Sequence, residues 1–396
     1  MSVPQVAPQL PPPVVRDREP NARRICIPFP GDTIGGSHLS ALLLAHDLPA
    51  HRRAVIVLHE EGALSRLLKD QDIAYELLPL PAGYVGSRKG TLGHAAVMGR
   101  NMPPLLRFLR RHRIDLVHGH DRRVNQTWAI PARLAGCAVI WHQRSKHRPS
   151  RLAGASMRRA HRVIAISHFV AESLPPLRDR RARIIADPYD LEAGNIDRSE
   201  ARAALLRELD CSPDRPLIAF VGNMTEQKRP DIFVECAARI LQDGEPQPLF
   251  LLFGADRDGR QARLEARASE LSLGDRIRFM GFRIPAEQVI AGCDLLIAPA
   301  VEEGFGRTLI EAMIVGTPVV AARSGGHTEA LDDGRTGLLV PPDDASAFAA
   351  ASSALLADRA RAAAMAERAK QDALSRFSVE RHVERICAIY DEVLHA

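Results

Sequence analysis

Residues 299–318, PAVEEGFGRTLIEAMIVGTP, combine the residue types that bind phosphate. An apolar run at Leu295–Ala298 predicts a buried strand just before them, and a helical pattern begins near Arg307. The loop between contains two glycines, which let backbone approach a ligand closely, and the unpaired N–H groups of a helix start attract anions. Arg307 adds a positive charge and Thr308 a hydroxyl. The segment therefore predicts an anion site at the carboxyl end of a parallel strand.

Two carboxylates flank this loop, Glu303 before it and Glu311 on the helix. A carboxylate accepts hydrogen bonds from two neighbouring hydroxyls, so the diols of ribose or a pyranose suit both side chains. Phosphate donors between two diol-binding acids describe a pocket for a nucleotide sugar. The alternative is a glycine-rich turn with a solvated Glu302–Glu303 pair and no ligand.

A second group of candidate residues, His118-Gly-His120-Asp121, ends another predicted strand. Histidines at this spacing could bind a metal, but no third ligand follows at a spacing typical of zinc sites. A histidine at a strand end is more commonly a buried structural residue, and this applies also to His142 at the end of the next strand. We therefore predict no metal site here.

The elements around these residues alternate between short apolar runs and amphipathic stretches. This alternation is typical of parallel βαβ units, whose strands are buried on both faces. We predict an α/β chain of two Rossmann-like, doubly wound parallel-sheet domains. The predicted order is a Pro-rich disordered leader at 1–20, an N-terminal domain at 21–190, a linker at 191–213, a C-terminal domain at 214–375 and a C-terminal helix at 376–396.

Composition limits the class of protein. The chain has 396 residues, 46% of them hydrophobic and 26% charged, which suffices for two cores and argues against an integral membrane protein. Six scattered cysteines without a CxxC pair favour a reducing compartment, and no signal-peptide pattern opens the chain. A net charge of +5 permits an anionic ligand and does not require nucleic acid. Together these features predict a cytoplasmic, soluble enzyme.

The sequence Glu303-Gly-Phe-Gly-Arg-Thr-Leu-Ile-Glu311 resembles the EX7E motif of retaining glycosyltransferases of family 4, which have the GT-B fold. Similar segments flank it, at Asp294–Ala300, Gly316–Val320, Gly325–Glu329 and Asp333–Val340. The resemblance covers most of residues 216–345 and is looser in the N-terminal half. It implies two Rossmann-like domains that face each other across a cleft, with the C-terminal helix crossing back to the N-terminal domain.

The resemblance implies a role for each matching residue of the donor site. Glu311 would hold the nucleotide ribose, Glu303 would contact hydroxyls of the transferred sugar, and Lys228 would neutralise the diphosphate. Asn223 occupies the position of a family arginine, and Arg229 and Arg307 are the candidates to replace that cation. The amides that would bind sugar and diphosphate belong to Phe305, Gly306, Arg307 and Thr308.

Residues outside the motif match by position. The pair Gly35-Gly36 resembles the family's first loop, which faces donor and acceptor. His120 occupies the place of a histidine that reaches the transferred sugar, and His142 is a candidate acceptor contact. Arg283, beside Phe282, lies where the family seats the nucleobase.

The resemblance implies no metal or other cofactor, because side-chain cations and helix termini neutralise the diphosphate of the donor. Asp256-Arg-Asp258 imitates the metal-binding DxD signature of another glycosyltransferase class. Its position after a predicted strand instead fits the family's Gly-rich loop at Gly254. We therefore interpret the two aspartates as part of that loop.

The implied reaction is retaining transfer of a sugar from a nucleoside diphosphate sugar to a hydroxyl of a glycan or lipid-linked acceptor, in bacterial polysaccharide or glycoconjugate synthesis. One alternative is a nucleotide-sugar-binding protein without transfer activity, which Asn223 favours; another is a GT-B epimerase. Basic clusters at Arg107–Arg113, Arg144–Arg151 and Arg158–Arg162 predict peripheral contact with an anionic membrane on its cytoplasmic side.

Overall fold

The computed structural model describes residues 21–85, 91–148, 151–177, 182–242, 247–256 and 259–395, so the predicted leader at 1–20 lies outside the described residues. The chain forms two compact units. One contains Asp190–Arg376, and the other contains the described residues up to Tyr189 together with those from Phe377 onward. We call them the C-terminal and the N-terminal unit.

The N-terminal unit is built on a parallel sheet of seven strands in the order β3-β2-β1-β4-β5-β6-β7. The order reverses between β1 and β4, where Ile25 is paired with Leu116. Parallel α/β sheets bind ligands at such a switch point, beyond the carboxyl ends of the strands. The strands are β1 (Arg23–Phe29), β2 (Arg52–Leu58), β3 (Glu76–Leu77), β4 (Leu116–Gly119), β5 (Ala138–Gln143), β6 (Arg162–Ala165) and β7 (Arg183–Ile184).

Helices cover both faces of this sheet, and each face has its own apolar core. From Ile25 onward β1 is buried throughout, which explains its continuous apolar run. The helices are α1 (Gly36–His46), α2 (Ala63–Asp70), α3 (Thr91–Arg111), α4 (Arg122–Leu134), α5 (Arg151–Met157) and α6 (His168–Glu172).

The last helix of the chain, Val379–Leu394, packs in the N-terminal unit. Its apolar stripe enters the core beside α1, with Ile386 and Tyr390 fully buried. Burial of one such side chain stabilises a fold by about 1.5–3 kcal/mol. The hydroxyl of Ser378 caps the helix by accepting a hydrogen bond from the Arg381 amide at 3.2 Å.

The C-terminal unit has a parallel sheet of six strands in the order β10-β9-β8-β11-β12-β13, which reverses between β8 and β11. The strands are β8 (Leu217–Val221), β9 (Leu249–Phe253), β10 (Ile277–Gly281), β11 (Leu295–Ala298), β12 (Val319–Ala322) and β13 (Leu338–Val340). Both sheets are therefore doubly wound, as the alternation of strand and helix patterns predicts.

The helices of this unit begin before its first strand. They are α7 (Arg198–Leu209), α8 (Pro230–Gln242), α9 (Gln261–Glu270), α10 (Ala286–Ala291), α11 (Arg307–Val315), α12 (His327–Ala330), α13 (Ala345–Ala357) and α14 (Arg359–Arg376), so that the terminal helix of the chain is α15. Two 3-10 turns, Leu191–Asn195 and Gly274–Arg276, complete the helical elements. Over the described residues, none of these helices is long and apolar enough to cross a bilayer.

Residues 191–213, predicted as the linker between the domains, belong to the C-terminal unit. Most of this tract is α7, whose Ala201 and Leu205 are buried against α10. Gly292 permits this approach, because a Cβ there would lie 2.6 Å from Leu205 Cδ1. The helix was missed because only these two residues of its polar sequence face the core.

Candidate active site

The candidate donor site lies at the switch point of the C-terminal unit, where β8 and β11 are neighbours. The loops that leave these two strands are joined by hydrogen bonds. The Val301 amide donates to the Gln227 carbonyl at 2.9 Å, and the Gln227 side chain donates to the Glu302 carbonyl at 3.2 Å. The two loops thus form one continuous rim beyond the strand ends.

An ion pair between Lys228 and Glu303 connects the two loops. The aliphatic part of Lys228 lies over Gly222, where a Cβ would be 3.3 Å from Lys228 Cδ. Burial alone would raise the pKa of Glu303, but the charge of Lys228 and its hydrogen bond lower that pKa below the ordinary value. Glu303 is therefore ionised and Lys228 is held at the site.

Arg307 and Glu311 form a second close contact, on the first turns of α11, with Arg307 Nε 2.7 Å from Glu311 Oε1. Glu311 is only 5% exposed. Burial, with a smaller contribution from the charge of Glu287, raises its pKa to about 8 in spite of Arg307. In the ligand-free site Glu311 therefore carries a proton near neutral pH.

The start of α11 is shaped by glycine. Gly306 caps the helix with φ +97°, and a Cβ on it would lie 2.7 Å from Cδ2 of the buried His327 ring. Phe305 is buried and Thr308 is half-buried beside it. Gly306 has no side chain with which to cap the first N–H groups, so the positive end of the helix is directed to the loop.

The loop after β12 packs against the loop that precedes α11. The Gly326 amide donates to the Glu303 carbonyl at 2.8 Å. A Cβ on Gly326 would lie 2.4 Å from the Gly304 carbonyl oxygen, so only glycine fits there. Burial lowers the pKa of His327 to about 4, so that ring is neutral where it packs on Gly306. The sequence predicts no role for His327, which lies in the segment Gly325–Glu329 that resembles the family.

Gly254 and Asn223 shape the neighbouring strand ends. Gly254 has φ +154°, and a Cβ would lie 1.9 Å from the Gly222 carbonyl oxygen, so glycine is required. The side-chain oxygen of Asn223 accepts a hydrogen bond from the Ala255 amide at 3.4 Å. Asn223 thus tethers the two loops in the place where the family has a cation.

Two predicted donor-binding arginines form ion pairs with acids outside the motif in the ligand-free structure. Arg229 Nη1 lies 2.5 Å from Asp343, and Nη2 lies 3.5 Å from Asp231. Arg283 Nη2 lies 2.5 Å from Glu208 of α7. Arg307, the other candidate to replace the family arginine, lies within the motif itself and contacts Glu311.

The remaining predicted residues of the C-terminal unit are Phe282 and the two aspartates of the DxD-like sequence, Asp256 and Asp258. Phe282 is 44% exposed. Asp256 accepts a hydrogen bond from the Arg260 amide at 2.8 Å, which is a local turn contact. Asp258, the second aspartate of the DxD-like sequence, lies outside the described residues.

In the N-terminal unit, Gly35 and Gly36 follow β1 and begin α1 at the switch point. The Gly35 amide donates to Nδ1 of His38 at 3.0 Å, which orders the loop. The adjacent strand β4 leads to His120, whose ring stacks on Phe29 at a centroid distance of 6.4 Å. The predicted glycine pair and His120 thus occupy the two neighbouring loops of this sheet.

The fold brings a third histidine to His118 and His120, although no ligand follows them at a zinc-site spacing along the chain. Strands β4 and β5 run in register, with Gly119 opposite Trp141, so His142 comes to lie beside His120. Ligand atoms of the three histidines lie within 4.8 Å of one another. Burial lowers the pKa of each ring well below its ordinary value, so all three are neutral. Sequence spacing could not show this group because it forms across strands.

Tyr390 of the distant helix α15 and Arg144, just after β5, also contact this group. Nδ1 of His118 lies 2.8 Å from the Tyr390 hydroxyl of α15. Nδ1 of His120 lies 2.8 Å from Arg144, which is only 7% exposed and is paired with Asp187. Arg144 is therefore not part of a solvent-facing basic surface, in contrast to the prediction for the cluster at 144–151.

Comparisons with known proteins agree with this architecture. Residues 202–372 match the family described as glycosyl transferases group 1. D-inositol 3-phosphate glycosyltransferase of Nocardia farcinica is 37% identical over 205 residues, which is 48% of this chain and 46% of that protein. Lipopolysaccharide core biosynthesis mannosyltransferase LpsB of Rhizobium meliloti is 31% identical over 209 residues, 50% of this chain and 57% of that protein. The match thus spans about half the length of these relatives.

Solved structures share the whole fold. Anabaena Alr3699/HepE, in complex with UDP and glucose, superposes with a TM-score of 0.78 at 24% identity, over 93% of this chain and 99% of that one. A glycosyltransferase from Rickettsia africae gives a TM-score of 0.79 at 19% identity, over 94% and 99% of the two chains. The chain therefore shares the two-domain GT-B fold with these structures, and its residues 202–372 match the family described as glycosyl transferases group 1.

Proposed function

We propose that this protein transfers a glycosyl group from a nucleoside diphosphate sugar to a hydroxyl of a glycan or lipid-linked acceptor, with retention of anomeric configuration, in bacterial polysaccharide or glycoconjugate synthesis. The observation that carries the proposal is the grouping of two contacts around the start of α11, the Lys228–Glu303 ion pair and the Arg307–Glu311 hydrogen bond. Cations and acids alternate there at the switch point of a doubly wound sheet, where nucleotides bind.

Donor binding would replace the contacts between these cations and acids by contacts of each group with the donor. The diphosphate would accept hydrogen bonds from Lys228 and from the amides at the start of α11, while Glu303 and Glu311 would turn to donating hydroxyls of the sugar and the ribose. Lys228 is confined by its aliphatic contact with Gly222, so its ammonium group is positioned before the ligand arrives. Such preorganisation is how an enzyme stabilises charge that develops in the transition state.

The chemistry needs no protein nucleophile. The bond between the anomeric carbon and the diphosphate oxygen breaks, the acceptor oxygen bonds the anomeric carbon from the same face, and the diphosphate oxygen takes the acceptor proton. Lys228 and the start of α11 stabilise the negative charge on the departing diphosphate. We propose that His120 contacts the transferred sugar and that the side-chain cations take the place of a divalent metal. The names of the relatives, and the UDP and glucose bound in the HepE complex, support the proposal of a nucleotide-sugar donor.

The second candidate function is nucleotide-sugar binding without transfer. Asn223 favours it, because the residue in the position of a family arginine is an amide tied to Ala255. A site with one cation fewer would stabilise the departing diphosphate less and retain affinity for the donor.

Contact with an anionic membrane surface is a further part of the proposal. Arg107, Arg110, Arg111 and Arg113, at and after the end of α3, are exposed, and no acidic side chain of the described residues forms an ion pair with them. Four unpaired cations on one helix end could rest on anionic lipid, at about 1 kcal/mol each. A cytoplasmic enzyme that glycosylates lipid-linked acceptors would work at such a surface.

Transfer assays with UDP-, GDP- and ADP-sugars and a panel of glycan and polyprenyl acceptors test the proposal. We expect turnover with one donor class, and a product whose anomeric proton coupling matches that of the donor sugar. An inverted product would contradict the mechanism. Binding of a donor without release of nucleoside diphosphate on any acceptor would favour the binding protein.

A further inference from the structure

His120 lies in a buried polar cluster whose charged members are Arg144 and Asp187. Nη2 of Arg144 lies 2.8 Å from Nδ1 of His120, and Nη1 pairs with the Asp187 carboxylate. A guanidinium has N–H donors only and stays charged at physiological pH. The hydrogen bond therefore runs from Arg144 to His120, and Nδ1 of His120 carries the lone pair.

The proton of neutral His120 consequently resides on Nε2. Burial, with the nearby His118, Arg144, His142 and His382, lowers the pKa of His120 well below its ordinary value, so the ring is neutral. Within the described part of the chain, Nε2 has no hydrogen-bond acceptor. A buried N–H group without an acceptor is costly, and a ligand oxygen is a natural source of one.

A metal ion fits this arrangement poorly. The ligand atoms of His118, His120 and His142 are close enough for one. A metal, however, requires a lone pair, and the donation from Arg144 leaves Nε2 of His120 protonated. The nearby carboxylate, Asp187, is occupied by Arg144. The geometry favours an oxygen acceptor over a cation.

We infer that Arg144, held by Asp187, is a positioning residue that fixes the tautomer of His120, so that His120 presents a hydrogen-bond donor to substrate and not a base. The acceptor is an oxygen of the transferred sugar, and this part of the inference rests on the proposed function. Arg144 acts through His120 and need not touch the substrate.

Nitrogen chemical shifts of the 15N-histidine-labelled full chain test the tautomer without any ligand. His120 is assigned by the signal that His120→Gln removes. In the wild type and in Arg144→Lys, a donor-only side chain, we expect protonated Nε2 and unprotonated Nδ1 from about pH 6 to 8. In Arg144→Gln, which is uncharged and can also accept, the Nδ1 shift should move toward the protonated value.

Arg162→Gln is the matched control, because Arg162 forms another arginine–carboxylate pair of the same unit, with Glu392. It should leave the His120 signals unchanged. A protonated Nδ1 in the wild type, identical His120 signals in Arg144→Gln, or stoichiometric zinc in the purified protein would each overturn the inference.

Kinetics supply the second readout once a donor and an acceptor are known. Arg144→Gln should lower kcat by about tenfold or more with little change in donor KM, and Arg144→Lys should restore most of the loss. A change in KM alone would contradict a role in the transition state. Absence of turnover in every variant would refute the proposed function, and the ligand-free shifts would still decide the tautomer.

Discussion

The two acids of the motif, Glu303 and Glu311, have opposite protonation in the ligand-free site. Glu303 has Lys228 as a direct partner, which lowers its pKa. Glu311 lies deeper and near Glu287, and its pKa rises to about 8 although Arg307 lies 2.7 Å away. A nucleotide ribose that donates hydrogen bonds would favour the carboxylate form of Glu311. Donor binding would therefore release a proton.

The raised pKa of Glu311 predicts a specific pH dependence of stability. Between its unfolded pKa near 4.5 and its folded pKa of about 8, the folded protein holds a proton that the unfolded chain has released. Glu311 therefore contributes stability that is fully present below 4.5 and is lost as pH rises through 8, by up to about 1.4 kcal/mol per pH unit. Urea unfolding of the wild type and of Glu311→Gln from pH 5 to 9 measures this.

Glu311→Gln should remove that part of the slope, because the amide does not titrate. Glu302→Gln is the control, since the exposed Glu302 is not at a buried position. Parallel pH profiles for the wild type and Glu311→Gln would show that Glu311 ionises normally in the folded protein.

At the scale of elements, the start of α11 depends on a glycine that no other residue replaces without strain. Gly306 combines φ +97° with close contact to His327, whereas Gly334 has φ +76° in open space. Gly334→Ala should therefore cost about 1–2 kcal/mol from the backbone conformation alone. Gly306→Ala should cost roughly 2–4 kcal/mol, because the ring must also move.

Denaturant unfolding and donor titrations of the two variants separate these effects. Gly306→Ala should also weaken nucleoside diphosphate binding, since it displaces the amides at the start of α11, and Gly334→Ala should bind as the wild type does. Equal losses of stability and affinity in both variants would show that the contact with His327 does not position the helix.

Helix α15 is the second element whose placement can be tested. Ile386 is fully buried in the core of the N-terminal unit, and Glu384 is exposed on the same helix. Ile386→Ala should lower the free energy of unfolding by roughly 2–5 kcal/mol, and Glu384→Ala by less than about 0.5 kcal/mol. Thermal unfolding of both variants measures this. An unchanged free energy of unfolding in Ile386→Ala would mean that α15 is detached from the core in solution.

Sequence patterns predicted these elements unequally well. Buried parallel strands such as β1 and β11 were predictable because their apolar runs are continuous, and so was α15, because its stripe is regular. Helix α7 could not be predicted in this way. Only Ala201 and Leu205 of this helix are buried, so its sequence has almost no helical repeat of apolar residues. In the candidate site, the pairing of Glu303 with Glu311 could be predicted because their spacing is visible in the sequence itself. The contacts of Arg144 with His120 and of His327 with Gly306 arise between distant segments and have no local signal.

At the scale of the whole molecule, the predicted membrane contact can be tested at the end of α3, where Arg107, Arg110 and Arg111 are exposed. Arg144 is buried, and Arg162 is paired with Glu392, so they do not contribute. Substituting Arg107, Arg110 and Arg111 by Gln should reduce binding to vesicles with anionic phospholipid by ten-fold or more, at about 1 kcal/mol per charge. Vesicle co-sedimentation at low salt and at about 0.5 M salt measures it, and binding should fall with salt.

The control for this experiment is the double change Arg359→Gln and Arg361→Gln, which removes exposed charges of α14 in the other unit. It should bind vesicles as the wild type does. No wild-type binding at low salt, or an equal loss in the control, would exclude α3 as a membrane contact.

The most direct test of the central claim, that Lys228 and the start of α11 receive the diphosphate of a sugar donor, is turnover of a labelled nucleoside diphosphate sugar by the wild type and by Lys228→Ala. We expect release of nucleoside diphosphate by the wild type and a rate about 10²–10³ lower in Lys228→Ala. Arg239→Ala, which removes a cation paired with Glu235 on α8, should match the wild type. Equal rates for Lys228→Ala and the wild type would contradict the account.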